Sequence, residues 1–375
     1  MTTQSSRFIE LDFLRGLVLL MIVVDHIGGS ILSRFTLHTY ALNDASEVFV
    51  FLGGYSAALA YAAIERRHTA AAAARRFVKR AWEIYLAFVI TAMLMFATAL
   101  LFSSLAIDAP NLAPIGLDLL FDAPLRTFNE VLTLHRQPYL ASVLPMYVLF
   151  ALAAPAMFRM ASTRPLVLLA TGVALWLGAR RLGLYLPTAE ESRWSFNPFA
   201  WQLMFVLGVL CKRQPVFQML RHGRFAPHVS MAALAIVAGV ALYKLVLDSS
   251  YPPGDLKFNL AFGRIANFLA LAWFTGLAIE RGWIAKLAQR LPAVCTIGKN
   301  GLIGFVTGAV ISLALDALLY DLTGGLLHIP LGLAADALAI GMLLAAAKTL
   351  PGLLARGGAL IRQSRAVLGK RRALN

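Results

Sequence analysis

Leu11-Asp12-Phe13-Leu14-Arg15-Gly16-Leu17-Val18-Leu19-Leu20-Met21-Ile22-Val23-Val24-Asp25-His26 reads as a helix that enters a bilayer while carrying ionisable side chains. Charge at bilayer depth is costly and marks a substrate or ion pathway. Asp12, Arg15 and His26 stand at offsets of three and eleven, close to whole turns, so they point roughly one way. Arg15 and His26 are then separated by about 16 Å along the axis. One face of this helix carries a guanidinium near one membrane surface and an imidazole toward the other.

The rest of the chain agrees about the solvent. Of 375 residues 59% are hydrophobic and 14% charged, against roughly a quarter charged in soluble domains. The composition implies an all-α, polytopic integral membrane bundle. Apolar windows of about 20 residues predict ten transmembrane helices near 11–32, 47–64, 80–102, 142–158, 166–177, 199–211, 229–247, 261–279, 294–315 and 331–350, the fifth and sixth short. Cytoplasmic loops retain Lys and Arg. With the N-terminus inside, 23 of the 34 basic residues fall in cytoplasmic segments and seven outside. That alternation predicts cytoplasmic N- and C-termini, a single domain over 1–375 and a basic tail from about 351.

The formal charge of +15 is spread over short loops on one side, as orientation signals require, so nucleic-acid binding is not expected. The first helix has no small-residue cleavage site after its apolar core and is expected to be retained. Cys211 and Cys295 are expected at cytoplasmic helix ends, where a disulfide or metal site is not anticipated. His38, His68, His135, His222, His228 and His328 show no ligand-like spacing, and no metal is expected. The outer connection over 103–141 exceeds the usual loop length. It suits a lid or acceptor-binding surface, or a structural re-entrant segment equally well.

Glu47 opens the second helix at a depth similar to that of His26. A carboxylate beside an imidazole orients the ring and raises its basicity. Glu47 is preferred as that partner; Asp25, adjacent in sequence, points about 100° away and is kept for a structural or acceptor-facing role. A structural histidine bonding a neighbouring helix is the alternative for His26. Asp12 reads as an ion-pair partner, whereas Arg15 is suited to hold a phosphate or a ligand carbonyl. Arg264, Lys299 and Asn300 are candidates for lining the same polar cavity as Arg15, with snorkelling or packing as the alternative. Gly53-Gly54 permits close approach of another helix or a thin ligand.

Arg15, ten residues, then His26 resembles the arginine-to-histidine signature of the transmembrane acyltransferases, and Glu47-Val48-Phe49-Val50-Phe51-Leu52-Gly53-Gly54 is similar to their acidic-aromatic second helix. Within that superfamily the sequence resembles the OpgC-type proteins, which succinylate osmoregulated periplasmic glucans. The resemblance extends from Arg7 to about Asn300 and includes Gln137-Pro138-Tyr139-Leu140, Leu144-Pro145-Met146-Tyr147 and Phe196-Asn197-Pro198-Phe199-Ala200-Trp201-Gln202-Leu203. Two departures stand out. Gly53-Gly54 replaces a frequent Ser-Gly, which removes a hydroxyl, and Ser142 occupies a position that is commonly acidic, which leaves the identity of the glycan open.

The resemblance implies a multi-pass protein of the bacterial inner membrane. Succinyl-CoA or another acyl-CoA would be the cytosolic co-substrate, and a periplasmic glucan would supply the acceptor hydroxyl. In that scheme His26 is the general base, Glu47 orients it and Arg15 holds the thioester arm or its carbonyl. Arg264 or Lys299 would neutralise the free carboxylate of a succinyl donor, and Arg75, Arg76, Lys79 and Arg80 are candidates for the CoA phosphates. A covalent acyl-histidine intermediate is the mechanistic rival. The lipid bilayer is the expected surrounding partner, and a homodimer is left open. The second functional class is a transporter or flippase that uses Asp12, Arg15, Asp25, His26 and Glu47 as a relay, although neither inverted repeats nor paired broken helices are visible.

Overall fold

The computed structural model describes residues 9–189, 194–247 and 254–372, with side chains in the last stretch described for 256–356. Arg7 and Arg193, two of the cations used for orientation, lie outside these residues, as do the side chains of the tail cations from Arg362 onward. All the regular structure among the described residues is helical. The long helices are α1 (Ile9–Asp25), α2 (Ala45–Arg67), α3 (Ala70–Ser104), α4 (Val143–Thr163), α5 (Pro165–Arg181), α6 (Pro198–Arg213), α7 (Ala226–Leu242) and α8 (Phe262–Glu280). They are followed by α9 (Pro292–Lys299), α10 (Gly301–Thr323) and α11 (Ile329–Arg372).

Each of the ten expected segments is helical, but they are not equally long. Seven of them are long and apolar enough to cross a membrane: α2, α3, α4 taken from Tyr139, α7 continued as a π-helix to Leu247, α8, α10 and α11. An eighth span forms if α6 is counted with helix Val216–His222, bent 68° away from it. Helices α1 and α5 have 17 residues each, about 26 Å at helical rise and short of a hydrocarbon core of about 30 Å. The chain is a helical membrane protein.

Helix α3 shows how the bundle meets lipid. Val78, Trp82, Leu86, Ile90 and Leu94 recur every fourth residue and are exposed, whereas Ala81, Phe88, Ala92, Met95 and Ala99 are buried. Lipid tails are as apolar as the exposed stripe, so helix association depends on close van der Waals packing. Two crossings achieve it with paired glycines. A Cβ on Gly54 of α2 would collide with the Phe205 carbonyl of α6, and one on Gly208 of α6 would collide with the Phe51 carbonyl of α2. Gly16 of α1 meets the Val294 carbonyl of α9, while Gly298 of α9 meets the Asp12 carbonyl of α1. Close packing is therefore the role of Gly54, and Gly53 faces the Tyr147 ring.

Two expected helices are interrupted, each for a visible reason. The first, predicted to run to residue 32, stops at Asp25 because carboxylates from distant helices take the amides that would have continued it. Asp316 of α10 accepts from the Gly28 amide at 2.6 Å. Asp336 of α11 accepts from the Ser30 hydroxyl at 2.5 Å and from the Ile31 and Leu32 amides at 3.0 and 2.9 Å. The ninth, predicted as one span, breaks at Asn300 between α9 and α10. The Asn300 side-chain amide donates to the Thr296 carbonyl at 3.2 Å and the Ala347 carbonyl at 3.0 Å, tying the break to α11. At the far end, the expected basic tail continues α11 as helix to Arg372, with Pro351 inside it.

Candidate active site

His26 follows the last residue of α1 and is half-buried. Its Nδ1 lies 2.6 Å from the Ile22 carbonyl, one turn back. A carbonyl only accepts, so this bond assigns the proton to Nδ1 and leaves Nε2 with the lone pair of the neutral ring. The Tyr139 ring stands edge-on to the imidazole, with centroids 6.1 Å apart. Beyond the ring is a cavity of about 170 Å³ bounded by α1, the start of α2, α10 and the connections that precede α4, α6 and α8. His26, Ser46, Tyr139, Ser142, Ser195 and Lys257 supply much of its polar lining; Leu19, Phe49, Gly304 and Phe305 contribute apolar wall.

Glu47 is not the partner of His26. The Asp44-x-x-Glu47 sequence is a capping box: the Ser46 amide donates to Asp44 Oδ1 at 2.8 Å, and the Asp44 amide donates to Glu47 Oε2 at 3.0 Å. The other Glu47 oxygen accepts from Arg264 Nε at 2.5 Å. Helix-start geometry thus turns the carboxylate back over its own N-terminus, and the neighbouring guanidinium takes what is left. The orienting task expected of Glu47 is performed at His26 by the backbone of its own helix.

Arg264, Lys299 and Asn300 do not line one cavity with Arg15. Arg264 is 3% exposed and bound to Glu47 and, at 3.3 Å, to Asp44. Its place near the start of α8 puts it at the His26 end of the bundle rather than the Arg15 end. Lys299 is exposed at the end of α9, and Asn300 is occupied at the α9–α10 break. The Arg15 guanidinium lies against Gly301, which adjoins Asn300. Asp25 accepts from the Thr36 hydroxyl at 2.6 Å and pairs with His38 at 3.2 Å, which fastens the chain after His26 from its other side.

Lys257, between α7 and α8, emerges as a cavity residue. Its Nζ is 2.8 Å from Asp44 Oδ2 and 5.4 Å from the centre of the Phe196 ring. Asp316 and Asp336 were also missed, because hydropathy makes no distinction between a membrane helix with a lone buried carboxylate and one without. The signal available was an acidic residue at the end of the ninth apolar window, Asp316, and one inside the tenth, Asp336.

The outer connection 103–141 contributes Tyr139 and Leu140 to the cavity. A second hollow, of about 200 Å³, lies beside it and is lined by Ile115, His135, Arg136, Gln137, Pro138 and Thr188. The connection is braced by Glu130, which pairs with Arg126 at 2.9 Å and with Arg136 at 2.7 Å.

The described helices form a membrane bundle with a histidine-lined cavity at one end of α1. The family model described as OpgC protein matches residues 7–352, and the chain belongs to that family. Membership makes it a transferase-type membrane enzyme. No protein of curated function and no solved structure matches the chain.

Proposed function

We propose that the protein is an O-acyltransferase that moves a succinyl group from cytosolic succinyl-CoA to a hydroxyl of a periplasmic glucan, across the bacterial inner membrane. The observation that carries the reading is His26, with Nδ1 donating to Ile22 and Nε2 left as a base beside a cavity. His26 Nε2 removes the proton from the sugar hydroxyl. The oxygen attacks the thioester carbonyl, the C–S bond breaks, and the imidazolium returns its proton to the departing CoA thiolate. General-base assistance of this kind contributes about 10²–10⁴-fold.

The cavity floor reaches Leu19 and Gly304, one turn and three residues from Arg15 and Gly301 respectively. That contiguity supports a path for a slender thioester arm from the Arg15 end, with Arg15 holding the arm on its way. The CoA head then remains at the basic surface that includes Arg75 and Lys79. The hollow beside Arg136 and Gln137 supports presentation of the sugar from the opposite side. Asp25, through Thr36 and His38, holds the turn that carries His26.

The test is CoA release by the purified protein, given a periplasmic glucan and succinyl-CoA, beside His26→Ala. Glucan-dependent release that falls by about 10²–10⁴-fold in the variant supports the assignment. Undiminished transfer by a folded His26→Ala protein removes His26 as the base. Failure of the wild type with every acyl-CoA, despite a competent acceptor, removes acyl transfer itself.

A further inference from the structure

We propose that Lys257, rather than Arg264 or Lys299, receives the distal carboxylate of the acyl donor and so selects a dicarboxylic acyl group over a neutral one. The inference rests on the acyl-transfer reading and assigns its donor specificity to one side chain.

Three observations converge on Lys257. First, it is the one formally charged side chain among the described residues that line the His26 cavity. The nearby carboxylates are buried, Glu47 at 0% and Asp44 at 4% exposure; Asp44 touches the Lys257 ammonium, and neither lines the cavity. An anion in that space therefore meets an ammonium and hydroxyls, and no carboxylate wall. Second, the cation is built in. The Lys257 carbonyl accepts from Trp201 Nε1 at 2.9 Å, the Ala261 amide donates to the Leu256 carbonyl at 2.9 Å and the Asn197 amide to the Phe258 carbonyl at 3.1 Å. An ammonium has three donors. Asp44 takes one, and the Phe196 ring supports the charge from the side. Third, Ser46 and Ser195 line the same cavity and supply hydroxyl donors for a second carboxylate oxygen.

The alternatives are poorly placed. The Arg264 guanidinium is buried against Glu47 and Asp44 and does not line the cavity, and Lys299 is exposed at the end of α9. A space of about 170 Å³ with a single ammonium suits one carboxylate on a short chain rather than a polyphosphate.

The experiment compares succinyl-CoA with its monomethyl ester, a donor of similar length whose distal end is neutral, on the wild type, Lys257→Met and Lys257→Arg. A charge-assisted hydrogen bond lost at this site corresponds to roughly ten- to hundredfold in kcat/KM. We expect the wild type to prefer the acid by that factor, Lys257→Met to lose the preference by losing activity on the acid, and Lys257→Arg to retain it. Equal losses on both donors in Lys257→Met overturn the proposal, because they assign Lys257 to the reaction or the fold and not to selection. The wild-type comparison needs no substitution: turnover of acid and ester at the same rate overturns the proposal while leaving acyl transfer intact. Absence of turnover with every donor refutes the acyl-transfer reading, and the proposal falls with it.

Discussion

Ser30 and Asp336 are 306 positions apart and share a 2.5 Å hydrogen bond that fastens the turn after His26 to α11. Both are buried. The same carboxylate accepts from the Ile31 and Leu32 amides, so a residue of the last helix fixes where the first one ends. Asp336→Asn replaces an acceptor-only group by one whose NH₂ faces donors. The expected result is a loss of roughly 1–3 kcal/mol in thermal stability, together with a fall in acyl transfer larger than that caused by a substitution on the lipid face such as Ile90→Val. Unchanged melting and activity would show that the carboxylate does not hold the turn.

Arg264 neutralises two buried carboxylates, Glu47 and Asp44. Removing one member of a buried pair strands the others and costs about 3–5 kcal/mol. Arg264→Gln should therefore lower stability, and with it activity, on charged and neutral donors alike. Selective loss of the charged donor would return Arg264 to the donor-recognition role expected from sequence.

The α2–α6 crossing predicts a contrast between two glycines. Gly208→Ala drives a Cβ into the Phe51 carbonyl, and backbone cannot yield as a flexible side chain does. Overpacking of this kind costs about 1–3 kcal/mol. Gly239 of α7 has nothing within 4 Å of a built Cβ, so Gly239→Ala should be neutral or stabilising, by up to about 1 kcal/mol. Thermal unfolding in detergent, monitored by fluorescence, measures both.

Glu130 lies outside the spans, in the connection that delivers Tyr139. Burial pushes its carboxyl up, but the hydrogen bonds and charges of Arg136 and Arg126 prevail and hold it below the usual carboxylate range. A depressed folded-state value means that the clamp contributes its full stability above the unfolded value near 4.3 and loses it as pH falls through the folded value. Hydrogen exchange over 124–141 should then be faster in Glu130→Gln than in wild type at pH 7. The difference should shrink as the pH drops below about 4. A difference independent of pH would exclude the carboxylate as the brace.

The legible part of this protein was its solvent and its local rules. Each apolar window falls on helix, although seven or eight spans rather than ten are long and apolar enough to cross a membrane, and the ionisable residues at Arg15 and His26 point to α1. The Asp44-x-x-Glu47 pattern is itself a capping-box signature, which commits Glu47 to its own helix start rather than to His26. What the pattern of apolar residues left out were the interruptions, since a helix that stops at Asp25 and one that continues to residue 32 have the same hydropathy.

Composition and periodicity determined by themselves that the chain is a helical membrane protein with charge buried in its first helices, because backbone hydrogen bonding and transfer from water to lipid are local and act on every residue alike. The tertiary structure alone decided which charges meet. Asp316 and Asp336 reach the turn after His26, Arg264 closes on Glu47, and Lys257 arrives at the cavity from the connection between α7 and α8. Buried charges in a low-dielectric interior are stable only when paired or hydrogen-bonded, and the partners come from helices up to 306 residues away.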